Sequence, residues 1–235
     1  MKKSLSFLIL LIAVFVGFTA KAYATDEAGM QAGWNTSGNL GVSFYLQTDK
    51  TDIQAALIKW HYDTTKLELI SGNSGYTNGD FDSILVGNVA NGENIVADSK
   101  TTVTPRANDG NKIYVVTLKF KAKSAYTVGS SASSLVTIDE FKYASASTQY
   151  SITSDLPKSL PAITRLIKGD WDSSGAMDER DVVDALRYIA GSQTLLTRYN
   201  SMTDAQKTKM NFNSSSDGKI DERDVVEMLR DIAKR

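Results

Sequence analysis

Asp170-Trp171-Asp172-Ser173-Ser174-Gly175-Ala176-Met177-Asp178-Glu179-Arg180-Asp181 is the passage that decides how this chain is organised. Oxygen side chains fall at positions 1, 3, 5, 9 and 12 of this twelve-residue loop: Asp170, Asp172, Ser174, Asp178 and Asp181. Glycine stands at position 6, and Ala176 offers a backbone carbonyl at position 7. A hard cation such as Ca2+ takes six to eight oxygen ligands, and such a loop delivers them on alternate residues around a sharp glycine turn. Asp181 opens the helix that follows, where the helix dipole favours a carboxylate. Met177 at position 8 is apolar, as a loop that pairs back to back with a second one requires.

The second loop exists. Asp178-Glu179-Arg180-Asp181-Val182-Val183 recurs letter for letter as Asp221-Glu222-Arg223-Asp224-Val225-Val226. Two registers fit the residues before it. Counting back twelve from Asp224 gives Asn213, Ser215, Asp217, Gly218, the Lys219 carbonyl, Asp221 and Asp224. Alternatively Asn211-Phe212-Asn213 matches Asp170-Trp171-Asp172, and Ser214-Ser215 form a two-residue bulge. The unbulged count is preferred because it adds no residues. The second loop has three carboxylates against four in the first, so two Ca2+ sites are expected, the second weaker.

After each loop an apolar stripe, Val182, Leu186 and Ile189, then Val225, Leu229 and Ile232, predicts a helix. Ahead of the first loop stand Pro161 and the strand-like Ile163-Thr164-Arg165-Leu166-Ile167, so the incoming helix of a full EF-hand is missing. Position 12 is Asp where calcium sensors usually carry Glu. Two half EF-hands over residues 165–235 resemble a dockerin module. Its departures are Ser174 at position 5, Asn213 at position 1, and a long connector from Gly191 to Met210. The resemblance implies a small all-α module that binds a cohesin on another protein. The contacts it implies are Glu179, Arg180, Asp184 and Arg187, and symmetrically Glu222, Arg223, Glu227 and Arg230, so that either copy could dock. The alternative reading of these residues is a solvated charged face with i,i+4 pairs.

From about residue 25 to 155 the pattern is that of strands. Val42–Leu46, Ala56–Tyr62, Ile113–Phe120 and Leu135–Ile138 are short, aromatic and β-branched, and several alternate with polar residues. Turns rich in Gly, Asn, Ser and Asp separate them, among them Ser71–Gly75, Asn78-Gly79-Asp80, Asn91-Gly92 and Asn108-Asp109-Gly110. An all-β jelly-roll sandwich follows. Ala55–Asp63 followed by Lys66-Leu67-Glu68-Leu69-Ile70, together with Val115–Lys123, resemble a cohesin, which implies a second protein-docking surface. Carbohydrate-binding modules share this architecture. Trp34, Trp60, Tyr62, Tyr76 and Phe81 could form a sugar-stacking platform, although Trp60 and Tyr62 alternate on one face as core residues do. His61 points the other way and has no obvious partner.

Residues 156–164, with Pro157 and Pro161, read as a linker. Residues 1–24 read as a signal peptide: Lys2 and Lys3, an apolar run from Leu5 to Phe18, then Ala22-Tyr23-Ala24. An exported, cysteine-free chain has no disulfides and no lipoprotein cysteine. Without the three lysines of the leader, 23 basic groups face 27 acidic ones, a net of −4. That balance argues against nucleic acid or an anionic membrane as partner. One histidine and no cysteine make a zinc site or a Cys/His nucleophile nearly impossible. The expectation is an exported, non-catalytic adaptor in a polysaccharide-degrading complex, and the alternative is a carbohydrate-binding protein recruited by its dockerin. A glycosidase would need two positioned carboxylates from Asp63, Glu68, Asp80, Asp82 and Glu140.

Overall fold

A computed structural model describes residues 26–87, 94–145, 148–213 and 218–234. The expected leader and the Asn91-Gly92 turn lie outside these residues. Within them no helix is long and apolar enough to cross a membrane.

Two antiparallel sheets face each other. The first places β1 (Glu27–Trp34) beside β2 (Asn39–Gln47), then β8 (Lys112–Ala122) and β4 (Leu67–Leu69), with β5 (Tyr76–Asn78) also on β8. The second runs β11 (Gln149–Ile152), β10 (Val136–Ser145), β3 (Ile53–Tyr62), β7 (Asn94–Val103) and β6 (Ser83–Gly87), with β12 (Lys158–Ser159) on β10. Period-two alternation puts Leu40, Val42, Phe44 and Leu46 of β2 wholly inside. They meet Ile58 and Trp60 of β3, and the Trp60 ring stands edge-on to Phe44 and Phe120. The register of β2 against β8 shifts between Phe44 and Tyr45. Such a bulge flips the alternation, so Val115 and Val116 are both buried.

Trp60 and Phe81 are core residues, while Tyr62 and Tyr76 pack against that core partly buried. His61 does have a partner: its exposed ring lies 2.8 Å from Asp139. The stretch read as a linker, 156–164, is built into the sandwich instead. β12 pairs with β10, Leu160 is buried, and β13 (Ile163–Thr164) pairs with β9 (Ser131–Ala132). Pro157 and Pro161 flank this short pairing, where missing N–H groups cost little.

Asp26 ties the start of the sandwich to its body. Its carboxylate accepts from Thr48 Oγ1 (2.6 Å), Lys50 Nζ (2.5 Å) and the Tyr143 hydroxyl. Burial pushes the Tyr143 phenol up to about 12, helped by Asp26. Asp26→Ala strands three donors, one of them charged, so the sandwich should lose about 2–3 kcal/mol. Thermal unfolding checks this, and an unchanged midpoint would assign Asp26 no structural role.

Four helices follow: α1 (Glu179–Ile189), α2 (Gln193–Ser201), α3 (Asp204–Met210) and α4 (Glu222–Ile232). The connector between the repeats therefore carries two helices of its own. Trp171, Met177, Val182, Ala185, Leu195, Met210, Val225 and Met228 form a second, small core.

Candidate metal centre

The first loop gathers its acids. Carboxylate oxygens of Asp170, Asp172 and Asp181 lie within 4.8 Å of one another. Asp170 and Asp181 are buried, at 4% and 0% exposure. Backbone N–H groups hold them in place. Asp170 accepts from Ser174 and Gly175, each at 3.0 Å. Asp172 accepts from Ser174 at 2.9 Å. Asp181 accepts from Trp171 (2.7 Å), Asp172 (3.1 Å) and Asp178 (2.7 Å). Gly175 has φ +101, a conformation that side chains rarely adopt. Beneath the loop Trp171 is fully buried against Tyr188 and Tyr199.

This cluster is costly as it stands. Burial pushes the Asp170 carboxyl up to about 6; the Gly175 N–H opposes that, and the charges of Asp181 and Asp172 reinforce it. Burial likewise raises Asp181. Clustered, desolvated carboxylates are favourable when a cation neutralises them. The donors are all oxygens, which suits a hard divalent ion.

Asp178 takes another role. Its carboxylate caps α1 by accepting from the Arg180 N–H (2.8 Å) and pairs with the Arg180 guanidinium at 2.7 Å. The Arg180 hydrogen bonds hold its pKa down. Ser174 Oγ donates to the Ala176 carbonyl at 3.1 Å, which brings those two expected ligands together.

The second loop corrects the preferred register. Asp224 is wholly buried and accepts from the N–H of Asn213 (2.8 Å) and of Asp221 (2.9 Å). In the first loop the matching bonds to position 12 come from Trp171 and Asp172, at positions 2 and 3. Asn213 is therefore not position 1, and with Phe212 packed on the core as Trp171 is, it falls at position 3 and Asn211 at position 1. The Asn211 amide donates to the Lys219 carbonyl at 3.2 Å, across the loop from position 1 to position 7. Asn211 Oδ1 is buried with no hydrogen-bond partner among the described residues, an acceptor left over for a further donor or ion. Phe212 packs on the core as Trp171 does. The contacts of Asn211, Phe212 and Asn213 thus match the alternative count, in which Asn211-Phe212-Asn213 stand where Asp170-Trp171-Asp172 stand in the first loop. Asp221 caps α4 and pairs with Arg223 at 2.6 Å. Ser215 and Asp217 lie outside the described residues.

The helix faces differ from expectation in one respect. Val182 and Ala185 of α1, and Val225 and Met228 of α4, face the core, whereas Leu186 (46%) and Leu229 (47%) stand exposed beside Val183 and Val226. The core takes the i+3 residue in place of i+4. Glu179, Arg180, Arg187, Glu222, Arg223 and Arg230 are exposed around these apolar pairs. Asp184 is not free on this face: it is mostly enclosed between Arg198 (3.0 Å) and Arg187 (3.5 Å). Glu227 pairs with Arg230. A groove of about 600 Å³ beside α4 is lined by Phe212, Glu222, Val226, Glu227 and Arg230 among others.

Of the carboxylates considered for hydrolysis, Asp63 pairs with Lys66, Asp80 with Arg106, and Glu140 with Lys59 and Lys142. Asp82 accepts from Ser99 Oγ at 2.9 Å, and Glu68 is exposed on β4.

No family model matches this chain, and no curated protein matches it. Solved structures similar to it are cohesin modules. A cohesin module of a family 33 glycoside hydrolase from Clostridium perfringens is 9% identical, with a TM-score of 0.40 over 54% of this chain and 89% of that one. The sixth cohesin of scaffoldin B from Acetivibrio cellulolyticus, in complex with a mutant dockerin, is 19% identical, with a TM-score of 0.41 over 54% and 91%. A cohesin of ScaC from the same organism, also in complex with a dockerin, is 14% identical, with a TM-score of 0.38 over 55% and 92%.

Proposed function

We propose that this chain is an exported, non-catalytic assembly protein of the dockerin–cohesin kind. Its C-terminal module holds two calcium ions and docks on a cohesin of a partner, and its sandwich offers a second docking surface. Asp170, Asp172, Asp181, Ser174 and the Ala176 carbonyl would hold the first ion. Asn211, Asn213, Asp217, Asp224 and the Lys219 carbonyl would hold the second, which has fewer charges and binds more weakly. The ion supplies the charge that lets the buried carboxylates stay ionised together.

The observation that carries this reading is the repeated exposed apolar pair, Val183 with Leu186 and Val226 with Leu229, each ringed by Arg and Glu. An apolar centre with a charged rim is the anatomy of a protein interface. The sandwich has its own candidate. Leu85 of β6 (67% exposed) and Val96 of β7 (41%) are cross-strand partners, and Leu57 of β3 pairs with Val96 from the other side. Three apolar residues in a row across the outer face suit a helical partner better than water.

Purified cohesin modules, immobilised and offered the full chain with calcium or with chelator, test the first half. Capture should require calcium. Leu186→Asp or Leu229→Asp alone should leave one docking face intact, while the double variant should weaken capture at least about thirtyfold, the weight of one interface hot spot. Capture indifferent to calcium, or to the double variant, would refute the reading. For the second half, Val96→Asp should abolish any capture of a dockerin by the sandwich.

A further inference from the structure

The geometry points to the sandwich as part of the first calcium site: the β1–β2 turn fixes the peptide that carries one of its ligands, so cation binding and module docking are coupled. This rests on the calcium reading above.

The turn Asn35–Gly38 closes on itself, with the Gly38 N–H donating to the Asn35 carbonyl at 3.0 Å. It sits directly on the first loop. The Met177 N–H donates to the Thr36 carbonyl at 3.0 Å, and Thr36 Oγ1 donates to Asp231 of α4 at 2.8 Å. In a trans peptide the N–H and the preceding C=O point in opposite directions. Anchoring the Met177 N–H on the sandwich therefore turns the Ala176 carbonyl the other way. That carbonyl indeed accepts from Ser174 Oγ, the position-5 side chain of the same loop. Thr36 thus orients a position-7 ligand without touching the ion.

Two further features make the contact tight. Gly38 has φ +76, and a Cβ built there would lie 2.0 Å from the Gly175 carbonyl oxygen. Arg165 bridges the same seam. Its Nη1 donates to the Tyr126 carbonyl at 2.5 Å, and its guanidinium lies over the Trp34 ring at 5.6 Å. A Cβ on Gly175 would lie 2.6 Å from Arg165 Nη2. Burial holds the Arg165 pKa down while Asp170 raises it, so a cation of the sandwich seam faces the acid cluster. Outer groups of this kind orient ligands and tune metal affinity. By linkage, an ion that prefers the anchored loop strengthens the anchor equally.

Calorimetric titration of the full chain with calcium tests this, with Asp170→Asn identifying which site belongs to the first loop. Gly38→Ala should weaken that site about tenfold, as loss of an outer-shell contact does, and leave the other unchanged. Thr36→Val and Asp231→Ala, which keep the turn's backbone, should each weaken it on the order of threefold, the weight of one net hydrogen bond. Calcium should also slow amide exchange at Met177 and across Asn35–Gly38. Normal affinity at both sites in all three variants, with turn exchange indifferent to calcium, overturns the coupling and leaves the calcium reading standing. A wild-type chain that binds no calcium removes both. If Gly38→Ala misfolds, the two milder variants decide.

Discussion

Chelating divalent ions from the full chain will melt α1 and α4 while the sandwich stays folded. The C-terminal core holds eight buried apolar side chains, and the chain has no cysteine to staple it. A core this small supplies only a few kcal/mol after conformational entropy is counted. Against it stand the desolvated carboxylates of Asp170, Asp181 and Asp224. A ligand that binds only the folded state adds about 2.7 kcal/mol at a hundred times its Kd and about 4.1 at a thousand times. Two such ions shift the module by more than its core can replace. Far-ultraviolet circular dichroism should lose its helical component in chelator and regain it with calcium, whereas the β signal persists. Helices that ignore the chelator would end the calcium reading.

The duplication of the two loops is legible because it is local: a repeated string and oxygens on alternate residues need no tertiary information. The strands of the core were legible by period two, as in Leu40–Leu46. β1 was not, since Glu27-Ala28-Gly29-Met30-Gln31-Ala32-Gly33-Trp34 consists mostly of poor strand formers, and pairing along its whole length with β2 makes it a strand. Residues 156–164 looked like a linker for the same reason: prolines and serines conceal a strand whose partner β10 is supplied from elsewhere in the chain. The helical period allowed either Ala185 or Leu186 as the core contact, and packing chose the smaller. Had the order been reversed, the exposed Leu186 and Leu229 on which the proposed docking rests would be missing. The loop register failed on a different point. Counting residues favoured the shorter loop, but the Phe212 side chain must occupy the place that Trp171 fills in the first copy.

Asp170→Asn should stabilise the metal-free module and at the same time abolish calcium binding at the first loop. In the folded chain burial raises Asp170 from its ordinary value of 3.8 to about 6. The folded state therefore holds a proton between pH 4 and 6 that the unfolded state has released. Stability of the metal-free module falls as pH rises through that window, and above it the full penalty is present, roughly 3 kcal/mol for two units. Asparagine removes the charge and keeps one acceptor for the Ser174 or Gly175 N–H. Losing the other bond costs about 1 kcal/mol, so roughly 2 kcal/mol remains as a gain. Asp181→Ala has the opposite sign, because the N–H groups of Trp171, Asp172 and Asp178 all lose their acceptor. It should cost about 3 kcal/mol or more with or without calcium. With calcium present the proton competes with the ion, so wild-type affinity should decline as pH falls through about 6. Helicity in chelator at pH 7 and pH 5 separates these effects: the wild-type module should regain part of its helix at the lower pH, whereas Asp170→Asn should already hold more helix than wild type at pH 7 and gain little on acidification. A metal-free Asp170→Asn module less stable than wild type at pH 7 would mean that the carboxylate is a structural acceptor first and that its cost has been overstated.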